Sequence, residues 1–289
     1  MKLTILIHCV DQPGIISAVT KFLYKKNGNV IYLDQHVDKE TKVFFMRLEC
    51  EFTTGFKKTN FDLGFKTEIG NPYSMRWSSH KHEVKPRMAI FVSKYNHCLY
   101  DLLSRHNSGE LAVEIPFILS NHKDLDYIAK QFNVPFYHVP VEKGFKDVAE
   151  KEQLRLLEKH QIDFIVLARY MQIVSSKLIS VYPNKIINIH HSFLPAFAGA
   201  KPYHAAYKRG VKIIGATSHY VTEELDAGPI IEQGVTTVSH SHSVKDFINK
   251  GKDLEKIVLA TGVKLHINCL LYTSPSPRDL STSRMPSSA

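Results

Sequence analysis

Over the first eighty residues, apolar positions come in short runs separated by turn residues. Leu3 to Val10 reads as a strand. Asp11-Gln12-Pro13-Gly14 is a turn handing over to a helix with Ile15, Ile16, Val19, Phe22 and Leu23 on one face. Asn27-Gly28 ends that helix. A second strand runs through Val30 to Val37, and beyond Asp38-Lys39-Glu40 a third has Phe44, Met46, Leu48, Cys50 and Phe52 alternating inward. A weak helix interrupted at Gly64 and a final strand near Tyr73 to Ser78 complete a βαββαβ order over residues 1–80.

The polar segment closing at Pro86, residues 81–86, has the composition of a linker. The pattern then changes. Arg87 to Ser93, Leu111 to Leu119, Pro135 to His138 and the strongly apolar Phe164 to Ala168 read as strands. They alternate with helical stretches at Cys98 to Arg105, Asp124 to Phe132 and Asp147 to Lys159. Such alternation predicts an α/β unit over 87–268, a Rossmann-like and mostly parallel sheet with βαβ crossovers. Ligands of such sheets bind beyond the carboxyl ends of the strands. Lys185 to Ile189 is one of these strands, with Asn188 and His190 at its end, and a helix carries Leu254, Ile257, Val258 and Val263. Residues 269–289, with six serines and three prolines, cannot make a regular closing element and resemble translated adapter sequence; they are set aside.

Composition narrows the class. The 289 residues are 44% hydrophobic and 22% charged, ordinary for a soluble globular chain, and no run approaches membrane-spanning length. The net charge of +9 is spread along the chain, without clustered basic and aromatic side chains. It suits anionic small molecules rather than nucleic acid. Cys9, Cys50, Cys98 and Cys269 form no CxxC pair, which argues against structural zinc or a disulfide framework and for a reducing cytoplasm.

The candidate chemistry lies in Asn188-Ile189-His190-His191-Ser192 and Leu225-Asp226-Ala227-Gly228-Pro229. Asn188 could donate to a developing oxyanion, His190 could stabilise charge or shuttle a proton, and Asp226 could orient the imidazole or a nucleophile. Taken singly, Asn188 is a strand-end turn residue, His190 and His191 a surface pair, and Asp226 the start of a turn. His219, alternating with Val221, reads as a packed, hydrogen-bonded histidine. His204, His240 and His242 are too irregularly placed for a zinc set, so no metal is assigned. Pro195, Gly199 and Lys201-Pro202-Tyr203-His204 are expected to form a loop over the site. Ile173 is read as core.

Two resemblances change the balance. The βαββαβ layout with Asp11-Gln12-Pro13-Gly14 resembles the ferredoxin-like ACT domain. This implies sheet-mediated homo-oligomers and an amino-acid effector, with a ligand-free assembly module as an equal alternative. Asn188-Ile189-His190, Ser192, Leu194-Pro195, Gly215 to Val221 and Asp226 to Ile231 resemble the formyltransferase family that uses 10-formyltetrahydrofolate. The resemblance implies that Asn188, His190 and Asp226 are catalytic, with His191 and His219 supporting them from behind. It also implies that Met171, Gln172 and Val174, with Glu223, line the folate pocket. No cofactor beyond the folate substrate is implied, nor a nucleic-acid or membrane partner.

Where transferases hold an acceptor phosphate on a glycine-rich loop, this chain reads Ser93-Lys94-Tyr95-Asn96-His97-Cys98, with no glycine. His191 stands where transferases commonly carry proline. His190-His191-Ser192 and Pro202-Tyr203-His204 resemble the hydrolytic branch, whose acceptor is water and whose products are tetrahydrofolate and formate for purine supply. The alternatives are a transferase with an amine acceptor and a catalytically idle folate or amino-acid sensor.

Overall fold

The computed structural model describes residues 1–268 apart from 54, 143 and 196–201. They fall into two compact units, one within Met1–Lys85 and one spanning Pro86–Ile267. The predicted tail, Gly199 and Lys201 lie outside the described residues. Among the described residues no helix is long and apolar enough to cross a membrane.

The first unit runs β1 (Lys2–Val10), α1 (Ile15–Lys25), β2 (Gly28–Asp38), β3 (Val43–Phe52), α2 (Lys58–Phe65) and β4 (Arg76–Lys81). Its antiparallel sheet has the order β2-β3-β1-β4. Alternating residues such as Ile5, Ile7, Met46 and Leu48 meet Val19, Phe22, Leu23, Phe61 and Phe65 of the two helices in one apolar cluster. Two expectations change. Gly64 does not interrupt the second helix, which continues past Phe65 as a π turn over Lys66–Gly70. The last strand also runs on to Lys81, because His80 and Lys81 pair with Thr4 and Leu3 of β1. Backbone pairing there overrides a polar composition that reads as linker.

The second unit runs β5 (Arg87–Val92), α3 (His97–Asn107), β6 (Glu114–Ser120), α4 (Asp126–Gln131), β7 (Phe136–His138), α5 (Lys146–Lys159) and β8 (Phe164–Leu167). It continues with α6 (Ser176–Val181), β9 (Ile186–His190), α7 (Pro202–Arg209), β10 (Ile213–Tyr220), β11 (Ile230–Thr237) and α8 (Val244–Ile267). The sheet order is β11-β10-β9-β8-β5-β6-β7, parallel from β9 to β7 and antiparallel at β10 and β11. From β5 the chain builds first toward β7 and then, from β8, the other way. That reversal opens a crevice at the carboxyl ends of β5 and β8. Met88 to Val92 and Phe164 to Ile165 are fully buried or nearly so because helices cover both faces.

Register sets the level of the site: Phe91, Leu167 and Asn188 align across β5, β8 and β9. Two readings of the crevice are corrected. Ile173 is 63% exposed rather than core, because the sheet ends at Leu167 and residues 168–175 turn over its edge. Pro202-Tyr203-His204 opens a helix, with Pro202 in the first turn, where a missing N–H costs nothing.

Candidate active site

Asn188 and His190 leave β9 on the same face, two residues apart, and Asp226 comes from the loop joining β10 to β11. That loop folds tightly onto β10. The Tyr220 amide donates to the Pro229 carbonyl at 2.8 Å, and a Cβ on Gly228 would stand 1.8 Å from the Tyr220 oxygen. Only glycine permits this approach. The fold-back carries Asp226, in the left-handed region at φ 55°, over the end of β9.

The three side chains converge through a fourth. His190 Nδ1 lies 3.1 Å from Asp226 Oδ2, while Asp226 Oδ1 faces His219 Nε2 at 3.6 Å. His219 Nε2 in turn meets Asn188 Nδ2 at 3.2 Å, and His219 Nδ1 meets the Tyr220 carbonyl at 2.9 Å. A carbonyl only accepts, so Nδ1 carries the proton and Nε2 accepts from the Asn188 amide. His219, expected as a packed and hydrogen-bonded histidine, is packed and bonded, and it also sets which way the Asn188 amide faces. The His190 hydrogen bond holds the Asp226 carboxyl far below its ordinary range against the opposing effect of burial. His190 is 5% exposed, and its Nε2 has no hydrogen-bond partner among the described residues.

Behind this set lies His191, its ring 5.3 Å from that of His190 and 5.9 Å from that of Tyr203. Burial, then the Arg169 charge, lower its pKa to about 4. Arg169 belongs to a buried cluster that sequence reasoning missed. Glu255 accepts from His97 Nε2 at 2.8 Å and Tyr203 Oη at 2.6 Å, with Arg169 Nε 3.5 Å away. Burial works against the Glu255 charge, yet the His97 bond and the Arg169 guanidinium, with the Tyr203 bond, keep its carboxyl below the usual value. His97, Cys98 and Glu255 place potential ligand atoms within 4.8 Å of one another. A metal ion there would face the Arg169 guanidinium, and burial holds the Cys98 thiol protonated, so the carboxylate is better matched by arginine. A signal for Glu255 existed: Phe247, Gly251, Glu255, Val258, Leu259, Gly262 and Val263 form the buried stripe of α8.

The residues expected at the folate separate. Gln172 and Val174 line a small cleft of about 10 Å³, room for one water, with Val141, Lys146, Gln153 and Tyr170, and Ile173 joins them. Met171 is 53% exposed and outside that lining, its amide donating to Ser93 Oγ at 3.0 Å. Glu223 is exposed on the β10–β11 loop and is likewise outside the lining. Asn188, His190 and Asp226 do not line the cleft; β8, which leads into it, is the parallel neighbour of β9, which carries two of them.

A formyl transferase family matches residues 86–263 and an ACT domain family residues 3–55. The formyltetrahydrofolate deformylase of Synechocystis sp. is 48% identical over 264 residues, covering 91% of this chain and 93% of the relative. The crystal structure of a formyltetrahydrofolate deformylase from Pseudomonas syringae pv. tomato superposes with a TM-score of 0.90 at 46% identity, covering 93% of this chain and 91% of that one. A phosphoribosylglycinamide formyltransferase from Bacillus halodurans matches with a TM-score of 0.60 at 30% identity, covering 65% of this chain and all of its own.

Proposed function

The chain belongs to the formyl transferase family and, within it, to the formyltetrahydrofolate deformylases, and we propose that Asn188, His190 and Asp226 are the residues that carry its reaction. That reaction is hydrolysis of 10-formyltetrahydrofolate to tetrahydrofolate and formate. The observation that carries the assignment is the continuous chain of contacts from Asn188 through His219 and Asp226 to His190.

Water adds to the formyl carbon, the carbonyl oxygen becomes an oxyanion, and the bond to N10 then breaks. One proton of the water ends on N10 and the other is released to solvent as the product ionises to formate. Asp226 holds the Nδ1 side of His190, which leaves Nε2 to meet the reacting group. The second amide hydrogen of Asn188 remains for the oxyanion once His219 has taken the first. A carboxylate held so far toward its ionised form is a poor proton store. Asp226 therefore acts by orienting His190 and a water and by balancing imidazolium charge. No cofactor is needed for these steps.

The segment Met171 to Val174, which follows β8 beside the strand that carries Asn188 and His190, is the proposed place of the pterin, with Glu223 as a further contact. In the first unit, edge strand β2 exposes Ile31, Tyr32 and Leu33, which supports self-association through the sheet; an amino-acid effector remains our reading of the ACT match. The free, buried Cys9, Cys50 and Cys98 support a cytoplasmic setting, where formate release would serve purine synthesis.

The test is Asp226→Asn beside His190→Ala. Each should lower formate release by about hundredfold or more while folate binding, read by titration calorimetry, stays close to wild type. Undiminished turnover in either would remove that residue from the mechanism.

A further inference from the structure

The connector from β5 to α3, Ser93-Lys94-Tyr95-Asn96, has no role in the steps above, yet two of its side chains hold another part of the unit. Ser93 is 2% exposed. Its Oγ accepts from the Met171 amide at 3.0 Å and donates to Asn121 Oδ1 at 2.6 Å. A carboxamide oxygen only accepts, so the one hydroxyl proton is committed to Asn121 and a lone pair is left for the amide. Two positions on, the centroid of the Tyr95 ring lies 4.7 Å from the guanidinium carbon of Arg169.

Both contacts fall on one turn, where the strand ladder stops. The Ala168 amide donates to the Phe91 carbonyl at 2.9 Å, a rung between β5 and the chain leaving β8. Arg169 then takes the left-handed conformation at φ 65°, Tyr170 sets its ring edge-on to Phe91, and the chain no longer runs as a strand. The Met171 amide has no strand carbonyl to meet, so Ser93, two residues beyond Phe91, supplies the acceptor from its side chain. The far end of the segment is tied in the same way, the Ser175 amide donating to Glu150 Oε1 at 3.1 Å. Between these anchors Met171 is 53% and Ile173 63% exposed. A segment that shows its apolar side chains to solvent gains little from packing, and its place depends on the bonds that tie its backbone.

Resting on the reading that places the pterin on Met171 to Val174, we infer that Ser93 is a positioning residue for the folate. Its hydroxyl, aimed by Asn121, fixes the backbone from which that segment projects, and Tyr95 steadies the same turn through Arg169. A flat heteroaromatic ring meets its wall over a whole face, so a small tilt of the wall loses many contacts at once. The bonds of the Ser93 side chain go to Met171 and Asn121 and not to Asn188, His190 or Asp226. Its loss should therefore weaken ground state and transition state alike, which raises KM and spares kcat.

Steady-state kinetics of the full chain on 10-formyltetrahydrofolate, followed by formate release, tests this. Ser93→Ala should raise KM about tenfold while kcat stays within about twofold of wild type, and Ser93→Thr, which returns the hydroxyl, should bring KM back to within about threefold. A role in stability alone would lower the thermal midpoint of Ser93→Ala without moving KM, and that result overturns the inference. So does a fall in kcat with KM unchanged. Should Ser93→Ala fail to fold, Tyr95→Leu decides, at a position that is 44% exposed. A KM raised about threefold supports the clamp, and a wild-type KM overturns it. Ile173→Asp tests the underlying placement by setting a charge where the ring should lie. A wild-type KM in that variant would overturn the place of the pterin and the role of Ser93 with it, whereas a raised KM there beside an unmoved one in Ser93→Ala removes Ser93 alone.

Discussion

His191 gives the site a measurable dependence on pH. Burial and the neighbouring Arg169 take its pKa from 6.5 down to about 4, so the folded chain holds it neutral where an unfolded chain would protonate it. The unfolded state then binds more protons than the folded one between those values, and stability falls as pH drops from 6.5 toward about 4. The whole shift corresponds to about 3 kcal/mol, of which about 2 kcal/mol is lost between roughly pH 7 and pH 5. His191→Gln removes this contribution, because glutamine does not titrate. Urea unfolding followed by far-UV circular dichroism at several pH values should show wild type losing about 2 kcal/mol more than the variant over that interval, whatever their difference at neutral pH. The single tryptophan, Trp77, lies in the Met1–Lys85 unit and reports on it separately. Equal slopes in the two proteins would refute an uncharged His191.

Two further substitutions address how the residues are placed. Gly228→Ala puts a methyl group 1.8 Å from the Tyr220 oxygen, so the loop must shift and carry Asp226 from His190. Turnover should fall by about hundredfold, and near-normal formate release would show that the loop is not what places Asp226. His219→Leu frees the Asn188 amide to rotate. Steady-state kinetics should show kcat reduced about tenfold or more with KM little changed, whereas a rise in KM alone would assign His219 to substrate binding.

Much of this was legible in the chain itself, for identifiable reasons. Buried strands such as Phe164 to Leu167 announce themselves because both faces are covered and every position is apolar. Asn188, His190 and Asp226 each read singly as a turn or surface residue, and what singled them out was their occurrence together in motifs that resemble the formyltransferase family. Nothing singled out Glu255. Flanked by Lys252, Asp253 and Lys256, it reads as one more charge on a solvated face, and only its spacing from Gly251 and Leu259 along α8 places it inside. Arg169 was hidden differently, as one letter between a buried strand and an expected pocket segment, with nothing local to say that its side chain would turn away from Tyr170. Ile173 was misjudged because an apolar letter after a core strand looks like core until the sheet's edge is known. Gly64 and Lys81 were misplaced because packing and strand pairing set their surroundings, not their own preferences.

Asp226 occupies a backbone basin that disfavours side chains bearing a Cβ, at a cost on the order of 1 kcal/mol. Anyone seeking a more heat-tolerant version of this protein by relieving awkward torsions would find position 226 among the most tempting in the chain, with glycine as the obvious replacement. The product should do nothing, and it would also lose the His190 pairing that holds the carboxyl ionised in the fold, a contribution that outweighs the relieved torsion. Ranking candidate positions by comfort alone would select against the one discomfort the chemistry requires.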